Sequence, residues 1–344
     1  MMSLASRLNY YRRILPAYLG LGASQLSFWH ETPEINPRAF LSAARDGQTQ
    51  LASGSVNRAP IRVGPYYMLF REKADYAGPF DASGIPLLDY RGAIGRQYNP
   101  IAIGQWGLAN ANIFFDTRDE ERRQKALKAA NWLASNLEQN THGLWVWNHH
   151  FDWEYRDRLK APWYSGLAQG QGISLLLRAH AMTGEEKYLE AAERAFVPVT
   201  KRIAEGGVLF EECDLWIEEY IVDPPTHILN GFIWALWGVF DYWRAGEDSQ
   251  VREIFDRGVR SLIANLHRYD TGYWSLYERS GTRLKMLASP FYHRLHIVQL
   301  RVMAQLTGEQ RFTEFAERWE GYEKRGVNRA RALIEKGAFK LTHY

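Results

Sequence analysis

The chain has 344 residues, 46% hydrophobic and 24% charged, which excludes a largely disordered polypeptide and leaves ample material for a core. Its net charge of +3 gives no basis for a nucleic-acid-binding surface, yet is compatible with an anionic polymer as partner. The single cysteine, Cys213, excludes an intrachain disulfide and a thiolate metal cluster.

From the start, the fairly apolar stretch Ile14 to Trp29 follows Arg12-Arg13, carries Ser24 and Gln25, and lacks a clear small-residue cleavage site. It is too short and too polar for a membrane span, so an early packed helix is expected, in a soluble, cytoplasmic protein without a cleavable signal peptide. Residues 50 to 100 are rich in Gly, Pro and Tyr. Their short runs, Ile61-Arg62-Val63 and Tyr66 to Phe70, predict strands and turns. Residues 1–98 are therefore read as a smaller N-terminal region containing β-strands, and 99–344 as the main domain.

From Asn99 onward the pattern is helical and it repeats. Gly184, Gly246 and Gly308 are spaced 62 residues apart, each after an apolar helical pattern and before a charged one. Met182-Thr183-Gly184-Glu185 followed by Ala191 to Arg194 matches Leu306-Thr307-Gly308-Glu309 followed by Phe315 to Arg318. A helix, a glycine turn and a second helix make an αα-hairpin. Apolar inner helices are predicted at Trp163 to Met182, Thr226 to Trp243 and Tyr292 to Leu306. Charged outer helices are predicted at Glu185 to Arg202, Ser249 to Tyr269 and Gln310 to Lys324. Four such units predict a mainly α protein, an α/α toroid, with helices near 4–28 and 326–338 extending the ring. β-like insertions at Gly207 to Val222 and Tyr269 to Glu278 should gather at one end, where function usually sits.

Four constellations carry candidate chemistry. Tyr164, Gln169 and Gln171 open an inner helix with Gly170 and Gly172, which serve either close helix packing or a close ligand. In Trp216 to Tyr220, strand alternation would place Glu218 and Tyr220 on one face and Glu219 on the other, with Asn230 following. Asp270-Thr271-Gly272 is a turn leading into a strand with Tyr277, Glu278 and Arg279. Tyr292, His293, Arg294 and His296 at an inner-helix start are hard to bury without partners, which favours a polar cleft. The pair His149-His150, with Asp152 and Glu154, matches no metal-ligand spacing, and no metal ligands are assigned. There is no Walker loop, no G-x-S-x-G elbow and no dinucleotide fingerprint.

Taken in register, Pro162 to Gln171, Glu218-Glu219-Tyr220, Leu229 to Phe232, Tyr269 to Gly272, and Tyr292-His293 with His296 resemble the C-terminal domain of the heparosan-N-sulfate-glucuronate 5-epimerase family, over roughly residues 98 to 322. The resemblance implies an α/α barrel carrying a catalytic cleft, and conversion of glucuronate to iduronate within a heparin-type chain. It implies that Glu219, Tyr220 and Tyr292 are catalytic and that Tyr164, Asn230 and Tyr277 line the substrate cleft. Arg279 resembles the family's arginine after that last tyrosine, one residue closer here.

The chemistry suits these residue types. Removing the hydrogen α to a carboxylate makes an enediolate-like dianion unless the carboxylate is neutralised, for which Arg279, Arg294, Asn230, Gln169 and Gln171 are candidates. Inversion needs a base on one ring face and an acid on the other, and no redox cofactor. His293 and His296 are further substrate-binding candidates. The partner is then an anionic uronate-containing polysaccharide; a structural metal ion and a homodimer are left open. Three rivals stand beside this reading: a polysaccharide lyase using Tyr292 with His293 or His296, a glycoside hydrolase using Glu219 with Asp152 or Glu278, and a non-catalytic polysaccharide-binding protein.

Overall fold

The computed structural model describes residues 28–41, 63–154, 158–212 and 214–343. Nearly all of the early helix expected before Trp29, the start of the run at Ile61, and Cys213 lie outside the described residues.

Four αα-hairpins follow in chain order. They are α1 (Pro100–Thr117) with α2 (Glu120–Ser135), α3 (Gly166–Thr183) with α4 (Glu186–Phe196), α5 (Leu229–Gly246) with α6 (Ser249–Asn265), and α7 (Pro290–Thr307) with α8 (Gln310–Lys324). A last helix, α9 (Gly326–His343), packs along α8. The inner helices α1, α3, α5 and α7 each pack on the next, giving the α/α toroid that the repeat implies. Outer helices keep the amphipathic stripe: α4 buries Tyr188, Leu189, Ala191, Ala192 and Ala195.

The helix starts are written in the sequence. Asn99 accepts hydrogen bonds from the Ile101 and Ala102 amides, with Pro100 in the first turn; Ser165 and Ser289 cap α3 and α7 in the same way. Gly184 and Gly308 end α3 and α7 with φ of 73° and 75°. The third repeat glycine departs from this. Gly246 stays helical, and Glu247 takes the left-handed position at φ 53°.

The Gly170-containing stretch serves helix packing. A Cβ on Gly170 would lie 2.6 Å from the Ala235 Cα, and one on Gly238 would lie 2.4 Å from the Gly170 Cα, so α3 and α5 meet backbone to backbone. A Cβ on Gly172 would strike the Trp147 ring at 2.3 Å.

Each of the four insertions precedes an inner helix, so they gather at one end. The hairpin β1–β2 (Leu88–Asp89 with Arg96–Gln97) precedes α1. The hairpins β3–β4 (Glu138–Gln139 with Trp145–Val146) and β5–β6 (Trp153–Glu154 with Arg158–Leu159) precede α3, and β7–β8 (Leu209–Glu211 with Leu215–Ile217) precedes α5. The strand expected beyond Asp270 is reduced to isolated bridges, Asp270 with Ser275 and Leu276 with Leu287.

The run Tyr66 to Phe70 is likewise no sheet. It forms one bridge, Met68 with Ile35, because asparagine side chains take over its backbone groups. Asn112 of α1 accepts from the Tyr66 amide at 2.6 Å and donates to the Met68 carbonyl at 2.7 Å, while Asn36 donates to the Tyr66 carbonyl at 2.9 Å. Tyr66, Tyr67, Met68 and Phe70 share one hydrophobic core with Trp237 and the other inner-helix side chains.

Overpacking the α3–α5 contact should be costly. Gly170→Ala and Gly238→Ala are each expected to lower stability by about 1–3 kcal/mol, read as a lower urea midpoint at unchanged m-value. Glu247→Gly is expected to raise the midpoint, by about 0.5–1 kcal/mol, since it relieves a left-handed side-chain-bearing residue.

Candidate active site

A cavity of about 230 Å³ opens at the end where the inner helices begin. Its wall takes Asn99, Ile101 and Gln105 from the start of α1, Leu167 from α3, Asn230 and Trp234 from α5, and Phe291, Tyr292 and Leu295 from α7. Insertions add Tyr90, Phe151, Trp153, Trp163, Glu219, Tyr220 and Tyr277. The N-terminal segments add His30, Glu31, Met68, Phe70 and Lys73, and α9 adds Lys336 and Lys340.

Glu219 owes its position to the residue before it. The backbone of Glu218 is held on both sides, its amide donating to Val208 and its carbonyl accepting from Gly166 at 3.0 Å. Its buried carboxylate accepts from the His227 amide at 3.0 Å and makes a short contact with the His227 ring. The Tyr269 hydroxyl in turn fixes the His227 carbonyl at 2.5 Å. The strand ends at Ile217 and the chain bends at Glu219–Tyr220. The expected alternation, with Glu218 and Tyr220 sharing a face, therefore gives way to Glu219 and Tyr220 together on the cavity wall. Gly231 makes the room: a Cβ there would lie 2.2 Å from the Glu219 Oε2.

Glu219 is buried, and its Oε2 has no hydrogen-bond partner among the described residues. Burial pushes its pKa up to about 8; the neighbouring Glu218 adds to the rise, and a hydrogen bond with Tyr220 opposes it. Tyr220 packs edge-on against Trp163 at 5.7 Å. Tyr292 sits in the first turn of α7, its amide capped by Ser289 and its ring against Tyr277 at 4.8 Å. Asn230 is buried with its Oδ1 unpartnered.

Among the sequence-derived candidates, Glu219, Tyr220, Tyr292, Asn230 and Tyr277 thus come together on one wall. Gln171 stands one layer behind, accepting from the Gln105 amide at 3.1 Å. The others are placed elsewhere, each satisfied by a structural partner. Tyr164 donates to the Gly206 carbonyl at 2.9 Å; Gln169 accepts from the Trp147 amide at 3.1 Å and donates to the Ala195 carbonyl at 2.8 Å. Arg279 donates to Asn265 at 2.6 Å, and Arg294 pairs with Glu323 near the surface at 2.7 Å.

His293 and His296 share the Ser275 hydroxyl at 2.8 and 3.0 Å. His293 also stacks on Trp274, so the pair ties α7 to the preceding loop. Burial lowers the His293 pKa to about 4 and holds that of His296 well below the usual histidine value, leaving both neutral. The rings of His149 and His150 part company: His149 stacks on Trp163 at 3.8 Å, and His150 meets Glu138 at the surface. Asp152 pairs with Arg158 in solvent, and Glu278 is buried outside the lining, accepting from the Ser280 hydroxyl.

Sequence reasoning missed the cavity's charged groups. The buried pair Lys73–Glu31 (3.0 Å), His30, Lys336 and Lys340 lie far from the recognisable motifs, and a Lys pair four residues apart on a charged helix reads as a solvated face. Among the described residues, no group of three His, Cys, Asp or Glu could hold a metal ion, and no helix is long and apolar enough to cross a membrane.

Glu219 makes stability pH-dependent. The folded chain keeps this proton to about pH 8, whereas an unperturbed carboxyl releases it near 4.5, so its contribution destabilises the fold as pH rises through that window. Glu219→Gln is expected to be more stable than the parent at pH 7, on the order of 3 kcal/mol, with the gap closing below pH 4. Urea unfolding at the two pH values measures this.

A family profile and one curated relative point to the same family. A family profile described as D-glucuronyl C5-epimerase C-terminus matches residues 139–321. The D-glucuronyl C5-epimerase of Caenorhabditis elegans is 32% identical over 239 residues, 64% of this chain; the chain spans 38% of that relative's length. An uncharacterised protein of Methanocaldococcus jannaschii is 27% identical over 244 residues, covering 66% of this chain and 78% of that one. Among solved structures, the unsaturated glucuronyl hydrolase of Bacillus sp. GL1 aligns with a TM-score of 0.45 at 16% identity, over 64% of this chain and 61% of that one.

Proposed function

The chain belongs to the D-glucuronyl C5-epimerase C-terminus family, and from that footing we propose that it inverts carbon 5 of D-glucuronate to L-iduronate within a heparosan-like polysaccharide. The observation that carries this is the convergence of Glu219–Tyr220 and Tyr292, from separate insertions and helices, on one cavity wall with a carboxyl poised near neutral pH.

A base whose pKa lies near the working pH is both ionised often enough and strong enough to act. Glu219 meets that condition through burial, and Tyr220, hydrogen-bonded to it, holds it in place. In this mechanism the Glu219 carboxylate takes the carbon 5 proton. The electron pair moves into the carboxyl group, giving an enediolate-like species stabilised by the donors and cations of the wall. The Tyr292 hydroxyl then delivers a proton to the opposite ring face, and exchange with solvent returns both groups to their starting states. The aromatic lining of Trp153, Trp163 and Tyr277 offers apolar faces to sugar rings.

The geometry does not favour the rival readings. His293 and His296, which a lyase would use, are not among the lining residues, nor are Asp152 and Glu278, which a hydrolase would need beside Glu219.

Incubation with unsulfated or N-sulfated heparosan in heavy water should exchange the hydrogen at carbon 5 and yield iduronate at constant chain length, followed by NMR. Glu219→Gln, Tyr220→Phe and Tyr292→Phe are each expected to slow exchange by about 10²–10⁴-fold. In the parent, kcat/KM should rise with pH until Glu219 is ionised, near pH 8. New ultraviolet absorbance, or new reducing ends, would instead identify a lyase or a hydrolase and overturn the proposal.

A further inference from the structure

We infer that Gln105 and Trp234, on the cavity floor, bind the hydroxyls on carbons 2 and 3 of the uronate ring and so turn carbon 5 toward Glu219 and Tyr292. This rests on the epimerase reading and gives the ring a neutral point of attachment besides the reacting groups.

The helical repeat builds the floor. The second and sixth residues of α1, α5 and α7 all line the cavity: Ile101 and Gln105, Asn230 and Trp234, Phe291 and Leu295. The two positions are about 6 Å apart along a helix axis. Because the cavity opens where these helices begin, the sixth residues form a layer one turn deeper than the second. The reacting groups belong to the upper layer. The Glu219 Oε2 lies against Gly231, the third residue of α5, and Tyr292 is the third residue of α7.

The deeper layer is polar and incompletely paired. Gln105 and Trp234 are 1% and 6% exposed. The Gln105 amide donates to Gln171 at 3.1 Å, yet its Oε1 has no hydrogen-bond partner among the described residues, nor has the Trp234 Nε1. Buried polar atoms are rarely left unpaired, so two of them on one cavity floor point to a ligand. The indole nitrogen only donates and the amide oxygen only accepts. A hydroxyl does both. A carboxylate would suit Trp234 but would set its charge against the Gln105 oxygen, so the pair selects hydroxyls. In a uronate linked through carbons 1 and 4, the unlinked ring hydroxyls are those on carbons 2 and 3, and carbon 2 stands directly across the ring from carbon 5. A ring resting that edge on the floor presents carbon 5 to the layer above.

The test uses the full chain and heparosan oligosaccharides whose uronates are intact, 2-deoxy, 3-deoxy or carboxyl-reduced. The parent is expected to bind each deoxy ligand about 3- to 10-fold more weakly than the intact one, the range for one neutral hydrogen bond. Trp234→Phe and Gln105→Met should each weaken binding of the intact ligand by a similar factor and slow carbon 5 exchange. Each should lose little more on one of the deoxy ligands, where its partner is already gone. On the carboxyl-reduced ligand, each variant should lose as much as on the intact one. Circular dichroism and urea midpoints check that the variants fold, and the parent's own response to the deoxy ligands needs no variant.

Folded variants that lose the same factor on the intact and on both deoxy ligands would reveal a packing role and overturn the subsite. A parent that exchanges carbon 5 but is indifferent to both hydroxyls would do so too, and in either case the epimerase reading stands. A variant effect that disappears on the carboxyl-reduced ligand would assign the pair to the carboxylate and overturn the hydroxyl assignment. A parent that binds none of the ligands and exchanges no hydrogen at carbon 5 would overturn both readings.

Discussion

The buried Arg178–Asp241 ion pair, at 2.6 Å, joins α3 to α5, and the Tyr67 hydroxyl donates to the same aspartate at 2.6 Å. Removing one member of such a pair leaves an uncompensated charge and costs about 3–5 kcal/mol. Arg178 also lies over the Tyr66 ring at 5.1 Å. These contacts lock the segment from Tyr66 to Lys73 among the inner helices. That segment then brings Met68, Phe70 and Lys73 to the cavity. Without the Tyr67 anchor, the toroid would keep its walls and lose part of the surface against which a ligand rests.

A second constraint divides two adjacent carboxyls. Glu218 is held by His227 on both oxygens and fixes the backbone; Glu219, one residue on, is buried with one oxygen unpartnered and rises to about pKa 8. Identical side chains thus meet opposite surroundings, one tied into the backbone and the other turned to the cavity with its proton held by burial. Around them, the N-termini of the inner helices begin at the cavity end, and their positive ends suit an anionic ligand.

The repeat and the helix signals were legible because they follow from local physics. Glycine turns, Ser or Asn caps and apolar stripes stand at fixed spacing, and Gln310–Lys324 emerges with the expected boundaries. Glu219, Tyr220, Tyr292, Asn230 and Tyr277 were legible as motif residues. What failed was orientation. Whether Arg279 faces a ligand or Asn265, and whether Gln169 faces a sugar or the Trp147 amide, depends on contacts between distant segments. The same blindness hid Lys73, Lys336 and Lys340, whose burial against the cavity is set by tertiary packing alone. Gly246 shows the limit of the repeat itself, since its unit closes one residue later, on Glu247.

The cavity wall draws on chain positions from Trp29 to Lys340. The matched stretch of residues 139–321 supplies Glu219, Tyr220 and Tyr292, while other parts of the wall and its lysines come from either side of it. Contacts of such sequence separation form late, because loop closure must precede them. On a ribosome, the barrel's first three hairpins can pack while the site still lacks α9. Enclosure of the cavity is therefore coupled to the arrival of α9, and a chain clipped before that helix would present Glu219, Tyr220 and Tyr292 without Lys336 and Lys340 on the same wall.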